Sequence, residues 1–214
     1  MTLIKIFRSI LFNFHFYIFT TLLVIICLPL LLFPLKGTKI VGRLWGIILS
    51  SGMKIWLGVS LKIVGDTTRR NNVIYAVKHQ SALETVICAD IFGMPSIILK
   101  KELLFLPLLG LYFLRSGAIA ISRSNSLQSL RKISSLAKKA ASKGRSILIF
   151  PQGTRVPVFS TTKDYPYLPG VYFIYSKCNL PVVPVVHNSG LLWPKNSFMK
   201  FPNNLKSKCI TFEI

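Results

Sequence analysis

Residues 78–85, KHQSALET, mark the change from an apolar run to a helical pattern. The run before them, NNVIYAV at 71–77, favours a buried strand, and VICADIF at 86–92 follows them. Ser81 and Glu84 have the S-x-x-E spacing of a capping box, which typically opens a helix. His79 lies at this junction with the Glu84 carboxylate five residues later. Two interpretations of Glu84 remain open: it orients the His79 imidazole, or it only caps the helix.

The composition combines a high apolar content with a strong positive charge. Of 214 residues, 51% are hydrophobic and the mean hydropathy is +0.54, yet 27 Lys and Arg face only 6 Asp and Glu, giving a net charge of +21. This combination favours an anionic membrane surface as a partner. A nucleic-acid-binding protein of this charge would be more polar and would carry a recognisable reading element, so no nucleic-acid partner is expected.

The cysteines are scattered, with no C-x-x-C spacing and no histidine close in sequence. They are Cys27, Cys88, Cys178 and Cys209. This spacing predicts neither a metal site nor a disulfide framework, and it favours a reducing, cytosolic compartment for the body of the chain.

The N-terminal part is long, apolar and flanked by basic residues. No formally charged residue occurs from Ser9 to Leu35, a stretch longer than the about 20 residues that span a bilayer as a helix. A second apolar stretch, residues 44–64, contains Trp45 and Trp56. Because all the basic flanks lie on one side, we expect a helical hairpin seated in the cytoplasmic leaflet, with both tryptophans at headgroup level. A single transmembrane anchor followed by a buried helix is the alternative.

From about residue 60 the pattern alternates between short apolar runs and helical stretches. The predicted buried strands are 73–77, 96–100, 118–122, 146–150 and 182–186. Apolar residues at spacings of three and four predict an amphipathic helix near 127–140, capped by Asn125 or Ser126, with a basic outer face. Strands alternating with helices indicate an α/β fold.

Four polar motifs follow these strands, where an open α/β sheet builds its site. They are HQSALE at 79–84, GAIAISR at 117–123, FPQGTR at 150–155 and VPVVHNSG at 183–190. In this order they resemble the H-x4-D, G-x-I-x-I-x-R, F-P-E-G-T-R and V-P-V-x-x boxes of the glycerolipid acyltransferase superfamily, specifically its bacterial 1-acyl-sn-glycerol-3-phosphate acyltransferases. Two residues depart from these boxes: Glu84 replaces Asp, and Gln152 replaces Glu.

The resemblance implies a mixed sheet flanked by helices and preceded by a membrane-seated helical hairpin. The predicted division is an N-terminal membrane-associated helical region at 1–64 and an α/β acyltransferase domain at 65–214. The chain stops at KSKCITFEI, inside a predicted strand where family members usually continue, so a shortened C-terminus is expected.

The resemblance also implies a reaction. An acyl group would pass from an acyl carrier protein or coenzyme A thioester to the sn-2 hydroxyl of 1-acyl-sn-glycerol-3-phosphate (lysophosphatidic acid), giving phosphatidic acid for phospholipid biosynthesis. No metal and no cofactor beyond the thioester co-substrate are expected. The implied location is the bacterial inner (cytoplasmic) membrane, with the catalytic domain facing the cytoplasm. Two alternatives remain: an acyltransferase for another lyso-lipid such as lyso-ornithine lipid, and a catalytically impaired lipid-binding remnant.

The implied catalytic pair is His79, the general base for the acceptor hydroxyl, and Glu84, which would fix its tautomer and stabilise the imidazolium. The implied phosphate and glycerol site is Arg123, Gln152, Gly153, Thr154 and Arg155, with Lys101 adding positive potential. In the fourth motif, Pro184 is expected to shape an acyl pocket and His187 to be structural.

Overall fold

The computed structural model describes residues 3–65, 71–122, 127–205 and 208–214. Its helices are α1 (Leu3–Ile26), α2 (Lys36–Gly52), α3 (Leu83–Ile91), α4 (Leu109–Arg115), α5 (Leu127–Ala141), α6 (Gly170–Cys178) and α7 (Ser189–Leu192). Its strands are β1 (Ser60–Val64), β2 (Ile74–Val77), β3 (Ser96–Lys100), β4 (Ile119–Ile121), β5 (Ile147–Ile149), β6 (Val182–His187) and β7 (Cys209–Glu213). The alternation of strands and helices confirms the predicted α/β class.

The strands form one mixed sheet in the order β1-β7-β6-β2-β5-β3-β4. All neighbouring pairs are parallel except β6 and β7, which are antiparallel. The five strands predicted between residues 73 and 186 all form, as does the C-terminal strand, which is β7. The predicted amphipathic helix is α5, whereas its proposed caps, Asn125 and Ser126, lie outside the described residues.

Helices α1 and α2 form an antiparallel hairpin. Three pairs of residues show the direction, because the partner number falls as the α1 number rises: Arg8 Nε donates to Trp56 O, His15 Nε2 donates to Ile48 O, and Trp45 Nε1 donates to Thr20 Oγ1. Both helical segments, Leu3–Ile26 and Lys36–Leu57, are long and apolar enough to cross a membrane by length and composition. The headgroup-level position of the two tryptophans stays a prediction.

The prediction that residues 44–64 form one arm of the hairpin is wrong for its last part. Helix α2 ends at Gly52, a π-helical turn covers Met53–Leu57, and Ser60–Val64 is strand β1. Gly58 ends the helical segment with a left-handed φ of 65°, which glycine adopts without a Cβ penalty. In β1 the half-buried Leu61 and Ile63 alternate with exposed neighbours, which is the period of a strand.

Successive residues of the central strands point to opposite faces of the sheet. Tyr75, Val77 and Leu148 enter the larger apolar cluster, and Ile74 and Ile147 enter a second one with α5 and α6. The larger cluster also contains side chains of the hairpin and of α3, among them Phe12, Phe16, Leu49, Met53, Leu83 and Ile87. The two predicted parts, 1–64 and 65–214, therefore share a core, and β1 pairs across the boundary with β7. The boundary itself stays a prediction.

A buried lysine ties α1 to the loop that precedes β7. The Lys200 side chain is 1% exposed, and its Nζ donates to Asn13 Oδ1 (2.9 Å) and to Phe198 O (2.7 Å). It also lies 4.0 Å from the centre of the Trp193 ring. These partners suit an ammonium group, although burial lowers the pKa of Lys200 to about 7.

Candidate active site

Three adjacent strands end at one edge of the sheet. Strands β5, β2 and β6 are parallel neighbours, so their carboxyl ends lie side by side. The segments at these ends are 78–84, 150–156 and 187–190, which contain the first and third sequence motifs and the end of the fourth. Parallel sheets carry their ligand sites at this edge, so the three motifs form the candidate site.

His79 and Glu84 form a direct pair. His79 Nδ1 lies 2.7 Å from Glu84 Oε1, and because an ionised carboxylate only accepts, Nδ1 carries the proton. Nε2 is then the unprotonated nitrogen, and among the described residues no hydrogen bond reaches it. The His79 side chain is 17% exposed and that of Glu84 is fully buried. The pair therefore presents a basic nitrogen to the outside and keeps its carboxylate inside.

The same carboxylate closes the turn into helix α3. Glu84 Oε1 also accepts the backbone N–H of Gln80 (3.0 Å) and of Ser81 (2.9 Å). Ser81 Oγ accepts the N–H of Leu83, two residues later, where the serine of a standard capping box accepts the N–H three residues later. The reciprocal contact of the box, from Ser81 N–H to Glu84, is present. The contacts expected from both interpretations of Glu84 are therefore present. His79 Nδ1–H and the backbone N–H groups of Gln80 and Ser81 all donate to the same oxygen, Glu84 Oε1.

Glu84 is ionised despite its burial. Burial raises the pKa of the Glu84 carboxyl, but the hydrogen bond from His79, the attraction of His187 and His79, and the Ser81 N–H outweigh it, so the net pKa lies below its usual value of 4.5. The negative charge of Glu84 also affects Cys88 in α3. Burial is the larger cause and repulsion from Glu84 the smaller one, and together they raise the pKa of the Cys88 thiol well above 9.0. The anionic Glu84 carboxylate can therefore stabilise a positive charge on the His79 ring.

The segment 150–156, which contains the third motif, holds the backbone and ring of His79. Gln152 Oε1 accepts His79 N–H (3.1 Å), Val156 N–H donates to His79 O (2.8 Å), and the Phe150 ring stacks on the imidazole with centroids 4.1 Å apart. Gln152 is buried, and its carbonyl oxygen is used within the protein. Substrate binding by Gln152 stays a prediction, while its contact with His79 was not anticipated.

The predicted phosphate turn lies beside this contact. Gly153 has a left-handed φ of 63°, which favours glycine at this position, and the atom nearest to a Cβ there would be the movable Leu168 Cδ1 at 2.7 Å. Thr154 Oγ1 accepts a hydrogen bond from Lys195 Nζ (3.2 Å), so a cation that sequence reasoning missed contacts the residue before Arg155. Arg155 on the turn and Lys195 bound to Thr154 therefore bring two cationic residues to the segment whose Val156 contacts His79.

The remaining predicted residues differ in their positions. Lys101 is exposed and begins the 3-10 turn Lys101–Phe105 that follows β3. Arg123 lies outside the described residues. Pro184 lines an apolar cavity of about 600 Å³ on the α6 side of the sheet, beside Lys78, Pro151 and Tyr172. The pocket expected beside Pro184 is present, and its use for an acyl chain stays a prediction.

His187 and Ser189 reach the pair from the end of β6. His187 is buried and its Nε2 donates to Lys78 O, while Ser189 Oγ lies 2.9 Å from Glu84 Oε2 and 3.0 Å from His187 Nδ1. Sequence reasoning assigned His187 a structural place and missed Ser189, whose only signal is a hydroxyl in the HNSG segment after a strand. Among the described residues, no group of three His, Cys, Asp or Glu side chains could hold a metal ion.

Comparison with protein families places residues 60–188 in the family model described as "Acyltransferase". A Pseudomonas aeruginosa protein named 1-acyl-sn-glycerol-3-phosphate acyltransferase is 36% identical over 129 residues, covering 60% of this chain and 49% of that protein. Proteins of the same name from Limnanthes douglasii and Saccharomyces cerevisiae are 28% and 29% identical, covering 80% and 67% of this chain. The chain spans 61% and 48% of their lengths, so it matches about half to three-fifths of these relatives.

The solved structure of the 1-acyl-sn-glycerophosphate (LPA) acyltransferase from Thermotoga maritima has the same fold. The TM-score is 0.70 at 20% sequence identity, and the match covers 98% of this chain and 84% of that one. This likeness includes the hairpin and confirms the predicted mixed sheet flanked by helices.

Proposed function

Because the chain belongs to the acyltransferase family, we propose that it transfers a fatty acyl group from a thioester to the sn-2 hydroxyl of 1-acyl-sn-glycerol-3-phosphate, giving phosphatidic acid. The names of its relatives support this substrate. The observation that carries the proposal is the His79–Glu84 pair, in which the carboxylate holds Nδ1–H at 2.7 Å and leaves Nε2 as a base at the sheet edge.

The pair suits direct acyl transfer. The acceptor hydroxyl oxygen attacks the thioester carbonyl carbon, a C–O bond forms, and His79 Nε2 takes the hydroxyl proton. Glu84 stabilises the imidazolium that results, because its charge is already directed at Nδ1–H. When the tetrahedral intermediate collapses, the C–S bond breaks and the thiolate takes the proton from Nε2. The products are an ester and a free thiol, and His79 returns to its starting state.

The Gly153–Arg155 turn supplies a place for the acceptor phosphate. A guanidinium pairs with two phosphate oxygens, and a left-handed glycine lets backbone N–H groups approach an anion. Lys195 adds an ammonium through its bond to Thr154. We infer that Arg155 and Lys195 bind the phosphate together, with Arg123 and Lys101 contributing as the sequence predicts.

The hairpin suits an anionic membrane surface. Many large apolar side chains of α1 and α2 are exposed, including Phe7, Phe14, Tyr17, Phe19, Ile40 and Ile47. An apolar surface of this extent is typical of a membrane contact. We infer that the hairpin sits in the inner membrane with the sheet on the cytoplasmic side, where a lyso-lipid and a soluble acyl donor can meet. The donor, acyl carrier protein or acyl-coenzyme A, is anionic in both cases, and a chain of net charge +21 attracts either.

The test is product formation by the purified chain in detergent micelles. A labelled acyl group is supplied on coenzyme A and, separately, on acyl carrier protein, with lysophosphatidic acid, lysophosphatidylcholine or lyso-ornithine lipid as acceptor. The proposal predicts labelled phosphatidic acid and a strong preference for the phosphate monoester acceptor. Transfer mainly to lyso-ornithine lipid would contradict the proposed acceptor. No transfer by a folded chain to any acceptor would contradict the activity.

A further inference from the structure

The end of β6 and the turn after it hold both ends of the stretch that carries His79. At one end, His187 Nε2 donates to the backbone oxygen of Lys78, the residue that precedes His79. At the other end, Ser189 Oγ lies 2.9 Å from Glu84 Oε2, the carboxylate oxygen that His79 does not use. Ser189 and Glu84 are both fully buried. The contacts join positions 109 and 105 residues apart in the chain, so only the folded sheet creates them.

The protons can be assigned from the chemistry of each partner. Lys78 O only accepts, so His187 Nε2 carries a proton and Nδ1 of a neutral ring carries none. Ser189 N–H points to His187 Nδ1 at 3.4 Å, which leaves the single hydroxyl proton of Ser189 free for another acceptor. His187 Nδ1 and Glu84 Oε2 are both within reach of that hydroxyl, and the ionised carboxylate is the stronger acceptor. The hydroxyl therefore donates to Glu84.

We propose that Ser189 is a positioning residue for the acyl transfer, whose hydroxyl holds Glu84 Oε2 and thereby keeps Glu84 Oε1 on the His79 imidazole, while its backbone N–H contacts His187 Nδ1. With Ser189 in place, the carboxylate has donors on both oxygens and one orientation about its last bond. Without it, Oε2 is buried with no donor among the described residues. This inference rests on the proposed function for its kinetic consequence, but the placement of the proton on His79 can be measured without turnover.

The loss of the hydrogen bond from Ser189 to Glu84 should move the titration midpoint of His79 in one direction. A carboxylate with one donor fewer is a stronger base and attracts the proton of the imidazolium more strongly, so the midpoint measured for His79 should be higher in the variant than in the wild type. The other titratable groups that face Glu84 are His187 and, one turn later in α3, Cys88, and Lys78 faces His187. An upward displacement of about one pH unit, a tenfold change in the protonation equilibrium of His79, is expected.

The His79 signal can be followed by NMR with little overlap, because the chain contains three histidines, His15, His79 and His187. The experiment is an NMR pH titration of the full chain with ¹³C-labelled histidine in detergent micelles, for the wild type and for Ser189→Ala, Ser189→Thr and Ser189→Cys. The matched control is Ser134→Ala, because Ser134 is a buried serine on α5 whose hydroxyl bonds only Arg131 O among the described residues.

The proposal predicts that Ser189→Ala raises the His79 midpoint by about one unit, lowers kcat about tenfold and leaves KM for lysophosphatidic acid within twofold. Ser189→Thr should restore the midpoint, and Ser134→Ala should leave it unchanged. If the alanine variant does not fold, Ser189→Cys tests the same contact, since a thiol fills the space but donates weakly.

An unchanged His79 midpoint in Ser189→Ala, or in Ser189→Cys where the alanine variant does not fold, would overturn the proposal, whether or not the chain is active. A lower melting temperature with an unmoved midpoint would do the same, because it indicates a structural serine. If the midpoint moves but the wild type forms no product, the positioning contact stands and the proposed function fails.

Discussion

The variant Glu84→Gln separates the charge of Glu84 from its role as a helix cap. A glutamine has nearly the same shape, and its Oε1 can still accept His79 Nδ1–H and the N–H groups of Gln80 and Ser81. Its Nε2 can donate to Ser189 Oγ, whose own proton can then turn to His187 Nδ1. The hydrogen bonds, the tautomer of His79 and the helix start are therefore kept, and only the negative charge is lost.

The cost of that loss follows from Coulomb's law. With charge centres about 4 Å apart and an effective dielectric constant of about 20, the attraction between carboxylate and imidazolium is about 4 kcal/mol. Each 1.36 kcal/mol of barrier corresponds to a factor of ten, so we expect kcat to fall by about 10²- to 10³-fold. KM for lysophosphatidic acid should change little, because Glu84 is buried behind His79.

The assay is the initial rate of labelled phosphatidic acid formation in micelles, with thermal unfolding of the same samples as the control. The expected result is a large loss of kcat with a melting temperature close to that of the wild type. Normal turnover in Glu84→Gln would refute the reasoning, and Glu84 would then serve only as a cap.

Two further predictions concern the phosphate turn and the buried lysine. Arg155→Ala should raise KM for lysophosphatidic acid about tenfold or more with a smaller effect on kcat, because it removes a hydrogen bond to a charged group; the exposed Arg131→Ala is the control, and an equal effect of both variants would count against the phosphate site. For Lys200, the pKa of about 7 lies below its usual 10.5, so the unfolded chain binds more protons between these values and the free energy of unfolding should rise with pH across them. Denaturant unfolding of Lys200→Met should lack this rise, and the same rise in both proteins would rule out Lys200 as its source.

The strands near the site could be predicted from sequence because they are short apolar runs with polar residues directly after them. The His79–Glu84 contact was also predictable, since the histidine precedes the helix and a carboxylate in the first turn can reach back. Strand β1 was not predictable, because Leu61 and Ile63 belong to one continuous apolar stretch, and only the structure shows that its helical part ends at Gly58. The strand becomes recognisable only when β7 pairs with it.

The contacts that complete the site depend on tertiary structure. Ser189 meets Glu84 only because β6 and β2 are neighbours, and the sequence does not give the strand order. The contact of the Gln152 carbonyl with His79 N–H was not predictable, because it joins residues 73 positions apart, and substrate binding by Gln152 stays a prediction. Lys200 was overlooked because an isolated lysine in a loop is ordinarily solvated, and only the fold surrounds it with Asn13 and Trp193.

The most direct test of the central claim is the rate of phosphatidic acid formation by His79→Ala beside the wild type, with His15→Ala as a matched histidine control. All three proteins are assayed in micelles with lysophosphatidic acid and a labelled acyl thioester. If His79 is the general base, its loss should reduce kcat by about 10²- to 10⁴-fold, while His15→Ala stays active and all three remain folded. A folded His79→Ala protein that forms phosphatidic acid at the wild-type rate would contradict the account.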